Sequence, residues 1–267
     1  ITFEPAYDSF APSVTVNGGL VKYAQLQYPD YNINWDELPR MISSNTKMII
    51  INSPHNPTGS VISEDDIHKL EKLIRGRDIV VLSDEVYEHL IYDGIQHQSA
   101  SRFPELASHT IVVGSFGKTF HTTGWKTGFV VAPENLMTEF RKVHQFVVFA
   151  TNTPIQHALA EFMRKPDNYN ALCSFYQRKR DFFSDALKNS KFKALPCNGT
   201  YFQLLDYSNI SDESEMSMAV RLVKEHGIAS IPVSSFYRTQ ENNNTLRFCF
   251  AKKESTLKKA ADILCTI

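Results

Sequence analysis

The sequence predicts an α/β protein: a mainly parallel sheet covered on both faces, followed by a smaller α+β module. Short apolar runs without alternation recur at Lys47–Ile51, Asp78–Leu82, Thr110–Gly114 and Gly128–Ala132, the pattern of strands buried on both faces. Helical stretches separate the first three, as parallel pairing requires. Past about residue 165 the pattern changes: a long helix is followed by short strands that alternate with helices.

Taken in order, Ile1 and Phe3 alternate with polar neighbours like the end of a buried strand. Lys47–Ile51 is the first buried strand of the main sheet. Ser63 opens a helix, because Asp66 stands three residues on as a capping partner and Ile67, Leu70, Leu73 and Ile74 form its apolar face. Asp78–Leu82 and Thr110–Gly114 are the next strands. Gly128–Ala132 is a fourth, of undetermined direction, since a link of about 13 residues permits a crossover without requiring one. Pro133 begins a helix to about Val148, and Pro154 allows another through Met163. The stretch Lys165–Asn168 (KPDN) is the expected boundary between residues 1–164 and 165–267. Beyond it the sequence predicts a helix over Asn168–Leu187, a strand over Gly199–Leu205, a helix over Glu213–His226 and a short strand over Ile228–Ile231. A strand over Thr245–Phe250 and a helix over Lys253–Leu264 close the chain, with Asn242–Asn244 as a loop.

Composition narrows the function classes. Of 267 residues, 42% are hydrophobic, enough for a large core. Twenty-eight basic against 29 acidic residues give a net charge of −1, without the cationic footprint of a nucleic-acid binder. No apolar run is long enough to span a membrane. Cys173, Cys197, Cys249 and Cys265 form no CxxC pair and read as reduced thiols of a cytoplasmic protein. There is no HExxH, and no metal site is expected.

In open α/β sheets, ligands bind beyond the carboxyl ends of the strands. The first run is followed by Asn52-Ser-Pro-His-Asn56-Pro-Thr-Gly59, the second by Ser83-Asp84-Glu85-Val86-Tyr87, the third by Ser115-Phe-Gly-Lys118-Thr119. Each has a plainer reading: a turn, an N-cap at Asp84, a solvated lysine. Their recurrence at one kind of location favours a shared crevice. Gly114 lies too close to Lys118 for a phosphate-binding GxxxxGK loop, and GxGxxG is absent. A lysine, a carboxylate, an amide and a phenol around one ligand suit pyridoxal 5'-phosphate. Its aldehyde takes a lysine, its ring nitrogen a carboxylate, its ring oxygen donors, and its phosphate hydroxyls and a cation.

The stretches NSPHNPTG (52–59), SDEVYEHLIYDG (83–94), SFGKTFHTTGWKTGFVVAP (115–133), GTYFQLLDYS (199–208) and LRFCFAKKESTL (246–257) resemble the class I and II aminotransferases of the fold-type I pyridoxal phosphate enzymes. TGWK and the tail LRFCFAKKESTL resemble most the methionine, kynurenine and glutamine aminotransferases. The resemblance covers essentially the whole chain and implies a large cofactor domain, here lacking its upstream part, plus a small C-terminal domain. It implies Lys118 as the Schiff-base lysine and proton carrier, Asp84 on the ring nitrogen, and Asn56 and Tyr87 on the ring oxygen. It places Ser115 and Lys126 on the phosphate, Tyr7 over the ring face, and Asn52 and Arg247 at the substrate carboxylate. Lys126 stands where many relatives have arginine, a point charge in place of a bidentate fork. Arg247 alternates with Leu246, Phe248 and Phe250 and so points away from their face.

The expected activity is ping-pong transfer of an amino group from a neutral L-amino acid, methionine first, to a 2-oxo acid. The expected full-length protein is a cytoplasmic homodimer; a chain without the upstream segment is expected to be a poor catalyst. Two other readings remain at this point, a β-lyase on cysteine conjugates and a catalytically inactive fragment.

Overall fold

The computed structural model describes residues 1–267. The first segment builds a small sheet that the sequence reading leaves largely unassigned. Strand β1 (Thr2–Glu4), helix α1 (Phe10–Val16), β2 (Tyr23–Gln27), β3 (Asn32–Ile33) and the one-turn α2 (Leu38–Met41) follow one another. β2 pairs in parallel with β1 and antiparallel with β3. Its alternation is legible in YAQLQ, where Ala24 and Leu26 are buried while Gln25 and Gln27 are exposed. Ile1 joins this sheet to the next, its amino group donating to the Met48 carbonyl at 2.7 Å.

The central sheet consists of β4 (Met48–Asn52), β5 (Val80–Asp84), β6 (Thr110–Ser115) and β7 (Gly128–Val131), in that spatial order. Helix α3 (Glu64–Ile74) crosses from β4 to β5 and starts with the expected capping box between Ser63 and Asp66. Ile67, Leu70 and Ile74 are its buried face. The short α4 (Pro104–Ala107) leads into β6, and the one-turn α5 (Phe116–Thr119) leaves it. The first three strands are parallel and β7 is antiparallel to β6. The link before β7 forms α5 and a tight turn, with no helix long enough to cross the sheet.

Helices α6 (Glu134–Val147) and α7 (Thr153–Met163) follow where expected. The next helix is broken: α8 (Asp167–Asn170) and α9 (Leu172–Ala186) replace the continuous span expected from Asn168 to Leu187. The break falls at Ala171, and α8 is tied to α7 by the Asn168 side chain, which donates from Nδ2 to the Phe162 carbonyl at 2.7 Å.

A four-stranded antiparallel sheet closes the chain, in the order β10-β11-β9-β8. Its elements are β8 (Lys193–Ala194), β9 (Phe202–Asp206), α10 (Glu215–His226), β10 (Ile231–Pro232), β11 (Thr245–Cys249) and α11 (Glu254–Leu264), which packs on α9. β9 starts three residues later than the expected Gly199, because Thr200 takes a left-handed backbone with φ +67°. The strand expected over Ile228–Ile231 shrinks to two residues at Pro232, which lacks an N–H for the ladder.

Two apolar cores result. One joins Ile49, Val81 and Leu70 to Phe3 and Leu26, and to Leu204 and Val233 from the last sheet. The other joins Phe183, Phe248 and Leu257 to Tyr87, Leu90 and Tyr92. Residues 1–164 and 165–267 thus contribute to both cores.

Candidate active site

Strand register brings the three polar segments together. Asn52, the last residue of β4, pairs with Asp84, the last of β5. Asp84 pairs in turn with Val113 of β6. Two residues further, Ser115 ends β6, and α5 carries Lys118.

The first segment is a loop held by its own side chains. Asn52 donates from Nδ2 to the Asp84 carbonyl and accepts at Oδ1 from the Asn56 amide, both at 2.9 Å. His55 is buried and pushed down to about 4 by that burial, so it is neutral; its Nδ1 meets the Thr58 hydroxyl at 2.7 Å. The Gly59 carbonyl accepts from the amides of Asn198 and Gly199. A side chain at Gly199 has no room, since a Cβ there would lie 2.6 Å from the Pro54 Cβ. The NSPHNPTG loop and the turn before β9 are therefore one unit.

This unit sets Asn56 against Arg247 of β11. Arg247 donates from Nη1 to Asn56 Oδ1 at 2.5 Å. A guanidinium only donates, so the facing atom must be the oxygen, and the Asn56 Nδ2 hydrogens point elsewhere. The guanidinium also lies 4.0 Å from the Phe202 ring centre and 4.9 Å from that of Phe236. Burial lowers its pKa, and among the opposing influences is the charge of Asp8. Tyr7, next to Asp8, is 42% exposed and forms a T-shaped pair with Phe10, ring centres 5.6 Å apart.

The two acids of SDEVY are used differently. Glu85 is 2% exposed and fully engaged: Oε1 accepts from the Ser83 hydroxyl and the Ala100 amide, and Oε2 meets His97 Nε2 at 2.8 Å. Burial alone would raise its pKa, but the bonds and charge of His97 outweigh that and lower it. The Asp84 carboxylate accepts one hydrogen bond, from the Val86 amide at 3.2 Å, and no cation lies within ion-pair distance of it. Burial pushes its carboxyl up to about 6, against the opposing pull of Lys118. No helix follows β5 directly, so Asp84 is not an N-cap. Glu88 lies with Glu85 and His97, their ligand-type atoms within 4.8 Å of one another.

Tyr87 is buried, its ring edge-on to Tyr201 at 5.3 Å. Burial first, then the neighbouring Tyr201 hydroxyl, raises its pKa, so it stays a phenol donor. Lys118 Nζ lies 5.6 Å from the Tyr87 ring centre and 3.5 Å from the Tyr201 hydroxyl. Ser115 precedes α5 with no side-chain capping bond. Lys126 is exposed in a left-handed backbone (φ +53°) just before β7. Neither Lys118, Lys126 nor Arg247 is paired with a carboxylate.

The site thus offers a desolvated carboxyl without a cation, two cations without a carboxylate in Lys118 and Arg247, and an amide and phenols able to donate; Lys126 is an exposed lysine two residues before Gly128, the β7 partner of Ser115. That set complements a ligand with a protonated ring nitrogen and anionic ends, and pyridoxal phosphate fits it.

The family model for "Aminotransferase class I and II" matches residues 1–264. The chain belongs to the class I and II aminotransferases. This aminotransferase is 45% identical over 265 residues to a methionine aminotransferase of Escherichia coli (strain K12), which covers 99% of this chain and 69% of the relative. It is 32% identical to a kynurenine–oxoglutarate transaminase of Dictyostelium discoideum, over 99% and 70% of the two chains. A crystal structure of an Escherichia coli protein described as having a methionine aminotransferase function superposes with a TM-score of 0.97. It is 44% identical and covers 100% of this chain and 71% of that one. Fold-type I aminotransferases generally depend on pyridoxal phosphate.

Tyr201, Phe202 and Phe236 are the neighbours of the site that sequence reasoning missed. Tyr201 and Phe202 stand in the quoted GTYFQLL stretch, but aromatics in a strand read first as core. Nothing in VSSFYR singles out Phe236.

Proposed function

We propose that this aminotransferase moves the amino group of a neutral L-amino acid, methionine first, to a 2-oxo acid in two half-reactions, with pyridoxal 5'-phosphate as carrier. When bound, the cofactor supplies an aldehyde to take up the amino group and a protonated ring to accept electrons. The observation that carries the reading is Asp84, a desolvated carboxyl at a strand end whose charge no protein cation neutralises by direct contact.

Asp84 holds the proton on the ring nitrogen. Asn56, with its oxygen engaged by Arg247, donates from Nδ2 to the ring oxygen, and the Tyr87 hydroxyl donates beside it. Ser115 and Lys126 take the phosphate, and Tyr7 covers a ring face. Arg247 clamps the substrate α-carboxylate; Asn52, whose amide is engaged at both ends, keeps Asn56 in place beside it. Lys118 would hold the cofactor through its aldehyde, and its amine, once free, would carry the α-proton between the substrate α-carbon and the former aldehyde carbon, two bonds away. The support for methionine is the likeness to the Escherichia coli enzyme. No helix is long and apolar enough to cross a membrane, and all four cysteines are free; we place the enzyme in the cytoplasm, working as a homodimer.

The test is the protein with pyridoxal phosphate, methionine and a 2-oxo acid acceptor. Borohydride reduction should leave the cofactor mass on Lys118, and Lys118→Ala should abolish turnover while some cofactor binding persists. Ordinary turnover by Lys118→Ala would remove that residue from its role. A kcat/KM for aspartate more than about tenfold above that for methionine would overturn the substrate reading. Pyruvate and ammonia from a cysteine conjugate without an acceptor would mark a lyase instead.

A further inference from the structure

We propose that Tyr201 is a positioning residue for the Lys118 amine, an inference that rests on Lys118 being the proton carrier. The Tyr201 hydroxyl, at 3.5 Å, is the hydrogen-bond partner that the protein gives Lys118 Nζ. A lysine released from the cofactor has a four-carbon flexible stem. It transfers a proton efficiently only if something holds its nitrogen near the reacting carbon.

Tyr201 is itself fixed. Thr200, fully buried with φ +67°, donates from its amide to the Leu90 carbonyl at 2.9 Å and accepts at its own carbonyl from the Tyr92 hydroxyl. The Tyr201 carbonyl accepts from the Phe250 amide at 3.0 Å. The ring stands perpendicular to Tyr87 and lies 4.7 Å from Phe202 and 5.9 Å from Tyr176. The Tyr176 hydroxyl is engaged by His121 Nδ1 at 3.1 Å, which leaves Tyr201 as the hydroxyl for Lys118.

The chemistry suits a phenol. Lys118 must pass between amine and ammonium. A hydroxyl donates to the first and accepts from the second, whereas a carbonyl can only accept. A carboxylate would favour the ammonium strongly and hold the proton. The phenol steadies both states while favouring the charged one more mildly.

The experiment is Tyr201→Phe, which keeps the ring and removes only the hydroxyl. It is read in the full enzyme and, after removal of the cofactor, by the pH dependence of Lys118 labelling with an amine-reactive reagent. Expected are a fall in kcat of about tenfold, the size of one hydrogen bond to an ionisable group, and a KM for methionine within about twofold. The primary isotope effect with α-deuterated methionine should rise, and the labelling midpoint should move to lower pH. With the borohydride adduct on Lys118, an unchanged kcat and an unchanged midpoint would overturn the role of Tyr201 and leave the proposed function standing. An adduct on another residue would overturn both.

Discussion

Asp84 sits where burial opposes ionisation, and this gives the site a readable pH signature. Its carboxyl titrates at about 6 in the folded protein against the ordinary 3.8. Between those values the folded chain holds a proton that the unfolded chain has lost. The contribution of this residue to stability therefore falls as pH rises through that window. A protonated ring nitrogen bonded to Asp84 reverses the preference, because the carboxylate then gains a partner. The stabilisation by added pyridoxal phosphate should consequently grow from about pH 5 to about pH 7, by about 1.4 kcal/mol, as the ionised fraction of Asp84 rises about tenfold. Melting temperatures with and without the cofactor test this, and Asp84→Asn should abolish that growth. An increment equal at both pH values in the unmutated protein would contradict the Asp84 assignment. At this scale the sequence was informative where chemistry and position coincide: Asn56, Asp84 and Lys118 are polar residues just past apolar strands. It was silent on which acid of the Asp84–Glu85 pair is free, because only the fold shows Glu85 occupied by Ser83, Ala100 and His97.

Among the elements, the Asn242–Asn244 loop shows what periodicity cannot reveal. It is the loop that composition suggests, but its structure depends on Glu215, at the start of α10 and fully buried. The Glu215 carboxylate accepts from the amides of Asn243 and Thr245 at 3.0 and 2.9 Å, and from that of Ser234. Asn242 Oδ1 answers by accepting from the Glu215 amide at 3.0 Å. Burial raises the Glu215 pKa and these backbone bonds oppose the rise. The sequence shows a glutamate in the first turn of a helix, which reads as an ordinary exposed partner of the helix dipole. Glu215→Ala would orphan three backbone donors, two at the entrance to β11, the strand that carries Arg247, and one in the turn after β10. The expected loss is about 3–5 kcal/mol in denaturant unfolding. A loss below about 1 kcal/mol would show that water replaces the carboxylate easily. Helix α3 is the opposite case: its capping box and apolar spacing are local, so its start and its buried face match the sequence reading.

Across the whole molecule, the packing of the last sheet against the first segment was the least legible feature, because contacts between residues some two hundred positions apart leave no local pattern. The Arg238 amide, for instance, donates to the Glu4 carboxylate, and the Tyr28 hydroxyl to Asp206. What the sequence does show is which helix faces are apolar, and one such face is uncovered. Helix α6 is amphipathic yet contains no buried residue. Val143, Phe146 and Val147 at its end, with Val148 and Phe149 beyond, are 50% to 84% exposed. Clustered apolar side chains of this kind usually mark an interface, and a second copy of the chain is the occupant that the proposed homodimer supplies. In a twofold dimer the same patch would meet on both subunits. The double substitution Phe146→Lys and Phe149→Lys places charges on that patch while touching no buried residue. Sedimentation should show the unmutated protein associated at micromolar concentration and the double variant shifted towards monomer, with its unfolding free energy per chain changed by less than about 1 kcal/mol. If the unmutated protein sediments as a monomer throughout, or the variant associates as strongly, this face is not where the copies meet.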